Sequence, residues 1–280
     1  MDQGTAENII ELLEAIDLND EEAYDQIINI LNSNIKGFKP IKFELNHHDD
    51  LFYARARILD NVDDYVNEIS GHSYNPNLDK IGFGRANNKG QQVFYLGRTR
   101  VTAFAEVNII ENRKEEMEVG YALSRWMPIK KLKIGAILDP NTMNQIEAFE
   151  VEGLVQFLNE NFNKFQNDKS KIGSNKLYTY FSNRFRERIV KGEENKYKIT
   201  SALSNFIFSQ NPDLDGLMYQ SVKWPGSYNL AITKNAVDEY GFKPTHFIKM
   251  VFLRKEIDDL VERSFEVAKS FDENANTIIW

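Results

Sequence analysis

The sequence predicts a mixed α+β fold around a sizeable core. Three observations carry this. Amphipathic helical stretches and period-two strands both occur, yet they do not alternate in the βαβ rhythm of a doubly wound sheet. The 280 residues are enough to bury a large core. The composition, 42% hydrophobic and 27% charged, is that of an ordinary globular chain.

The first 35 residues hold nine acids and no Lys or Arg. Ile9, Ile10, Leu12, Leu13 and Ile16 mark one helical stripe, and Tyr24, Ile27, Ile28, Ile30 and Leu31 a second. Asn19, with Glu22 three residues on, predicts the N-cap of the second helix. Gly37 and Pro40 mark an exit, so residues 1–40 read as an acidic helical appendage and residues 41–280 as one domain. The acid run reads as a solvated face, with a regulatory flap or partner surface as the sharper alternative.

Ile41, Phe43 and Leu45 alternate as a strand does. So does the run Phe52–Ile58, which sets Phe52, Ala54, Ala56 and Ile58 on one face and Tyr53, Arg55 and Arg57 on the other. From Asn61 to Phe83 the chain is polar and turn-rich and predicts a long loop. Residues 91–97 predict a strand, 99–106 a helical turn, 117–124 and 132–138 two strands, and about 142–160 a helix. A basic, aromatic region over 176–209 predicts two helices. Short strands follow at 217–222, 229–232 and 247–253. Ile257, Leu260, Val261, Phe265 and Val267 predict a closing amphipathic helix over 255–270.

Composition excludes several function classes. A net charge of −8 argues against a protein that coats nucleic acid or an anionic membrane. With no cysteine there are no disulfides and no thiolate metal sites, which fits a reducing cytosol. No apolar run approaches the roughly 20 residues of a spanning helix. The acidic N-terminus is unlike a secretory signal, so a cytoplasmic protein without membrane contact is expected.

The chemistry concentrates in a few places. Arg55 and Arg57 project from one strand face beside Tyr53; two guanidiniums so placed repel each other unless an anion or carboxylates sit between them, and a solvated or salt-bridged face is the plainer alternative. Gly84 and Gly90 frame a loop bearing Arg85 and Lys89, followed by Tyr95 on the next strand. Its spacing is neither Walker A nor GxGxxG. Thr102 and Glu106 share a helical face among small alanines. Ser221 follows an apolar segment without a nucleophile elbow. His47, His48, His72 and His246 sit in contexts that read as solvent-facing or loop-like, so neither a Ser–His–acid triad nor a metal site is supported. The basic stretch from Lys176 to Lys198, with Tyr178, Tyr180, Phe181, Phe185 and Tyr197 interleaved, reads as a solvated face or as a dock for the acidic N-terminal helices. Nucleic-acid binding is the sharper alternative there, and the net charge argues against it.

Taken in order, Phe52–Arg57, the Gly84–Asn87 loop, Tyr95-Leu96, Thr102–Glu106, Asp215–Ser221 and Asn229-Leu230 resemble the RES-domain family, over about residues 45–250. The N-terminal 40 residues lie outside the resemblance. It implies a compact ADP-ribosyltransferase-like α+β domain around a cleft between β-sheets, with the N-terminal helical appendage added. It also implies NAD as substrate, cleaved with phosphate, water or a protein as acceptor, and no metal. Family members look like toxins paired with a helix-turn-helix antitoxin. Carried over, the essential arginine falls on Arg55 or Arg57, with Arg55 preferred; the glutamate is Glu106 and the serine Ser221. Arg85 and Tyr95 match the loop and strand that line the pocket, and Tyr95 or Tyr53 is the ring that stacks on the ligand. The acidic N-terminal helices and the insertion near 140–210 depart from the smaller toxins. A nucleotide- or partner-binding module that does not cleave is the alternative. Whether the chain forms a homodimer is left open by the residues.

Overall fold

The computed structural model describes residues 1–45, 52–107, 117–138, 152–167, 172–239, 241–256 and 259–280. Among them are seven α-helices and a nine-stranded mixed sheet, so the α+β expectation holds.

The helices form where apolar residues recur at helical spacing. In α1 (Gln3–Glu14) Ala6, Ile9 and Leu13 are buried, and Asp2 caps the helix by accepting from the Thr5 N–H at 2.9 Å. In α2 (Ala23–Asn34) Ala23, Ile27 and Leu31 are buried. The turn before α2 is closed by Asp20, whose Oδ1 accepts from the Glu22 N–H at 2.9 Å, and not by Asn19. Asp20 wins because its carboxylate sits two residues before that amide, the reach of an Asx turn.

The sheet runs in the order β1 (Ile41–Leu45), β5 (Leu132–Ile137), β6 (Gly216–Gln220), β7 (Tyr228–Thr233), β3 (Val93–Gly97), β2 (Tyr53–Ile58), β4 (Met117–Pro128), β8 (Phe242–Glu256), β9 (Asp259–Val267). Among the described residues only β5 and β6 pair in parallel. Between β5 and β7, all five residues of β6 are buried, which explains a run of apolar residues without alternation. One face of the central strands (Val93, Leu217, Tyr219, Ala231) packs against α1, α2, α5 (Ile172–Arg186) and α6 (Tyr197–Gln210). The other face (Phe94, Leu96, Met218, Leu230, Ile232) packs with Tyr53, Trp126 and Phe247, with Leu158 and Phe162 of α4 (Glu152–Asn167), and with Ala236 of α7 (Lys234–Asp238). The N-terminal helices thus share one apolar cluster with the basic helices. Lys176 pairs with Glu7 at 2.5 Å, Arg184 pairs with Glu14, and Lys198 donates to the Leu18 and Asp20 carbonyls at 3.0 and 2.5 Å. Three cations of the basic stretch, Lys176, Arg184 and Lys198, thus dock against the acidic helices.

Three further expectations change. Residues 255–270 are not a helix: β8 extends to Glu256 and β9 returns along it, with Met250 opposite Phe265 and Ile248 opposite Val267; residues 257–258 lie outside the described set. Val261, Phe265 and Val267 satisfy period two as well as a helical stripe, and the backbone edge of the 15-residue β8 offers the ladder that decides between them. The helix expected at 142–160 is described from Glu152 to Asn167, and its expected start lies outside the described residues. His72 is not solvent-facing; it is 1% exposed, with its ring 4.7 Å from that of Phe247. His47 and His48 lie outside the described residues.

The long loop is anchored by the C-terminus. Strands β10 (Ser270–Asp272) and β11 (Thr277–Ile279) form a small hairpin, and Asn276 both accepts from the Ser70 N–H and donates to Ser70 Oγ. No helix among the described residues is long and apolar enough to cross a membrane.

Candidate active site

The site begins where the sheet stops pairing. β2 pairs with β4 along its whole length, from Tyr53–Trp126 to Ile58–Tyr121. With β3 it shares a single pair, Ala54–Gly97. Beyond that pair the two strands splay, and the wedge between them is a cavity of about 370 Å³. Its walls include Ala54, Arg55 and Ala56 of β2 and Tyr95, Leu96 and Gly97 of β3. Helix α3 (Arg100–Val107) adds Ala103, Glu106 and Val107. Phe83, Gly84 and Arg85 come from the loop before β3, Tyr197 from α6, and Tyr219 and Asn229 from β6 and β7.

Small residues bring these parts close. A Cβ on Gly97 would meet the Ala103 backbone nitrogen at 2.6 Å, so α3 rests directly on the strand. Thr99 Oγ1 accepts from the Thr102 N–H at 3.1 Å, which starts α3, and Thr102 Oγ1 donates to Ser227 Oγ at 2.8 Å, which ties the helix to the β6–β7 loop. One turn later Glu106 meets that hairpin again. Its Oε1 accepts from Ser221 Oγ at 2.5 Å and from Asn229 Nδ2 at 2.8 Å. Oε2 takes no hydrogen bond from the described residues. Ser221 is itself 2% exposed and held by its neighbours: its Oγ accepts from the Trp224 N–H at 3.0 Å, and its own N–H donates to the Ser227 carbonyl at 3.0 Å.

The Gly84–Gly90 loop is knitted onto Tyr95. The Tyr95 hydroxyl accepts from the Ala86 N–H and donates to Asn87 Oδ1, both at 2.8 Å. A Cβ on Gly84 would lie 2.9 Å from that hydroxyl and 2.3 Å from Asn87 Oδ1, so only glycine lets the loop close here. Burial holds the Tyr95 phenol well above its usual pKa, so it stays a neutral hydrogen-bonding group. Arg85 lines the cavity, but both ends of its fork are engaged by the Phe185 and Glu187 carbonyls at 2.8 Å each, and its guanidinium stands 5.4 Å from the centre of the Tyr197 ring.

Arg55 is placed differently. It lines the cavity, with its guanidinium carbon 5.7 Å from the centre of the Phe94 ring. Its Nε is buried with no hydrogen-bond partner among the described residues. Burial first, and the neighbouring Arg57 second, pull its pKa down to about 10. It remains a cation at neutral pH, in surroundings that favour an anion beside it.

Arg55, Glu106, Arg85 and Tyr95 therefore line one cavity, and Ser221 reaches it through Glu106. Two expected residues do not line it. Arg57 donates to the Gly71 carbonyl at 2.9 Å, because the long loop passes over its end of β2. Tyr53 is buried against Tyr228 and Phe242, with its hydroxyl 3.4 Å from that of Tyr228. The chain direction of β2 explains both: the wedge opens at Arg55, leaving Tyr53 inside the core and Arg57 exposed at the far end of the strand beside the loop. Sequence reasoning assigned no role to Phe83, Tyr197, Tyr219 or Asn229. Asn229 carries a local signal, a polar residue in a buried strand opposite Tyr219. Tyr197 carries none, since only the packing of α6 brings it to the cavity. No family model matches the chain, and no curated protein matches it either.

Proposed function

We propose that this chain cleaves NAD at the bond between nicotinamide and ribose, in an ADP-ribosyltransferase-like cleft. The observation that carries the reading is that Arg55 and Glu106 line one cavity, the arginine with a buried Nε that has no hydrogen-bond partner among the described residues and the carboxylate held at one oxygen. The RES-like order of motifs supports it. So does the size of the cavity, which falls in the range of about 300–1,000 Å³ typical of small-molecule sites.

The chemistry follows from charge. Arg55 pairs with the diphosphate, which supplies the acceptor that its buried guanidinium lacks. Tyr95, Tyr197 or Phe83 offers a face to an aromatic ring. Ser221 and Asn229 hold Glu106 by one oxygen, leaving the other to accept from a ribose hydroxyl. As the glycosidic bond breaks, its electron pair leaves on the nicotinamide nitrogen and neutralises the pyridinium. Positive charge then builds on the ribose, and the Glu106 carboxylate stabilises it. The leaving group departs neutral, so no general acid is required. Water, phosphate or a protein nucleophile attacks the ribose carbon and gives up its proton to solvent. Ser221 acts by orienting Glu106 and not as a nucleophile.

On this reading the chain is the toxin of a toxin–antitoxin pair, acting by depletion of NAD. The test is incubation of the purified protein with NAD, with and without phosphate, and mass analysis of the products. Release of nicotinamide with ADP-ribose or its 1″-phosphate is the expected outcome. Binding of NAD without nicotinamide release would instead make the chain a nucleotide-binding module.

A further inference from the structure

Phe83 of the cavity wall is braced by three residues that do not line the cavity. The Tyr24 ring of α2 lies against it, with centroids 5.7 Å apart. The ammonium groups of Lys89 and Lys198 stand 5.2 and 5.9 Å from its centre. Lys198 is 4% exposed, and its charge is accepted by the Leu18 and Asp20 carbonyls in the α1–α2 connection. A buried ammonium without such acceptors would be strongly disfavoured, so this contact is a tether and not a passing one. A second tether lies beside it. Asn205 Nδ2 donates to the Tyr24 hydroxyl at 2.9 Å, and Asn205 and Gln91 exchange side-chain hydrogen bonds at 2.7 and 2.9 Å. Gln91 in turn accepts from the Asn88 N–H at 2.8 Å, within the loop that Tyr95 holds. Lys198 directly follows Tyr197, the α6 residue of the cavity wall. If the hairpin only filled space, apolar side chains such as Ile9, Leu13 and Ile27 would suffice. The polar tethers run instead to the part of the cavity wall built by Phe83 and Tyr197.

We propose that the α1–α2 hairpin is a clamp on the cavity wall: Tyr24, Asn205 and Lys198 are positioning residues that hold Phe83 and Tyr197 where an aromatic ring of the bound dinucleotide stacks. The ligand named here rests on the NAD reading; the clamp itself does not.

The chain has no cysteine, so a single Val107→Cys on the cavity wall gives a thiol whose labelling by N-ethylmaleimide reports cavity access without any ligand. In that background Tyr24→Ala is expected to speed labelling at least tenfold. In the otherwise native chain it is expected to raise the KM for NAD about tenfold, with kcat kept within about twofold. Tyr24→Phe keeps the ring and loses only the acceptor for Asn205; it should stay within about threefold of the native chain in both readings. Labelling and KM both unchanged by Tyr24→Ala would overturn the clamp and leave the NAD reading untouched. Faster labelling in a chain that neither binds nor cleaves NAD would support the clamp while the NAD reading fails. Should Tyr24→Ala not fold, Tyr24→Val, which also removes the ring, carries the same two measurements, with the same outcomes deciding.

Discussion

Strand β2 meets its two neighbours in opposite ways. On one flank β4 pairs with all six of its residues and the ladder is complete. On the other flank β3 pairs at one residue, and Arg55, Tyr95 and Glu106 line the gap together with Ala54 and Ala56. A sheet that continues makes a core; a sheet that parts leaves a cavity that charged side chains can line. The contrast between Arg55 and Arg57 follows from it. They are two residues apart on one face, yet Arg55 opens onto the wedge and Arg57 is anchored to a loop carbonyl.

The comparison can be broken most severely at Glu106. Glu106→Gln keeps the shape of the side chain and removes its charge. NAD turnover is expected to fall by about 10³-fold, about 4 kcal/mol of transition-state stabilisation. The thermal midpoint should stay close to that of the native chain, and turnover at the native rate would rule out this role for the carboxylate.

The closed flank is tested through His72. Burial, followed by the charges of Arg57 and Arg55, pulls its pKa down to about 4 against the opposing carbonyl of Val66, while a free imidazole titrates near 6.5. Between those values the unfolded chain binds a proton that the native chain does not. Its contribution is therefore complete above about pH 6.5 and is lost as pH falls toward 4, by up to about 3 kcal/mol. Urea unfolding at pH 7.5 and pH 4.5 should show this loss in the native chain, and His72→Gln should remove most of the difference between the two pH values.

The pair of arginines sharpens the contrast. Arg55→Met is expected to lower kcat/KM for NAD about 10²-fold, the size of a lost charge-assisted contact, and Arg57→Met less than about threefold. Equal losses would mean that the wedge does not discriminate between them. Effects smaller than that of Arg55→Met belong to the residues that hold Glu106. Ser221→Ala and Asn229→Ala each remove one of two donors to Oε1, and each is expected to lower kcat about tenfold. The double variant should fall short of the product of the two, because both act on the same oxygen.

Much of this could be read along the chain. Alternation placed β1 and β2, including the shared face of Tyr53, Arg55 and Arg57, and helical stripes placed α1 and α2. The Gly84–Gly90 loop, Tyr95 and Glu106 stood out as a basic loop, a ring and an acid in local order. Where local rules failed, two patterns competed for the same residues. Val261, Phe265 and Val267 fit both a helix and a strand, and Asp20, next to the expected Asn19, closes the turn before α2.

The sequence by itself determined the mixed class of the fold and the strand face that carries the arginines, because these depend on periodicities of two or about 3.6 residues within one element. Only the tertiary structure decided that Arg55 and not Arg57 reaches the cavity, that Ser221 and Asn229 grip Glu106 across 115 and 123 residues, and that Tyr24 braces Phe83. Those facts depend on where two strands stop pairing and on which distant elements fill the space, and no local pattern encodes either.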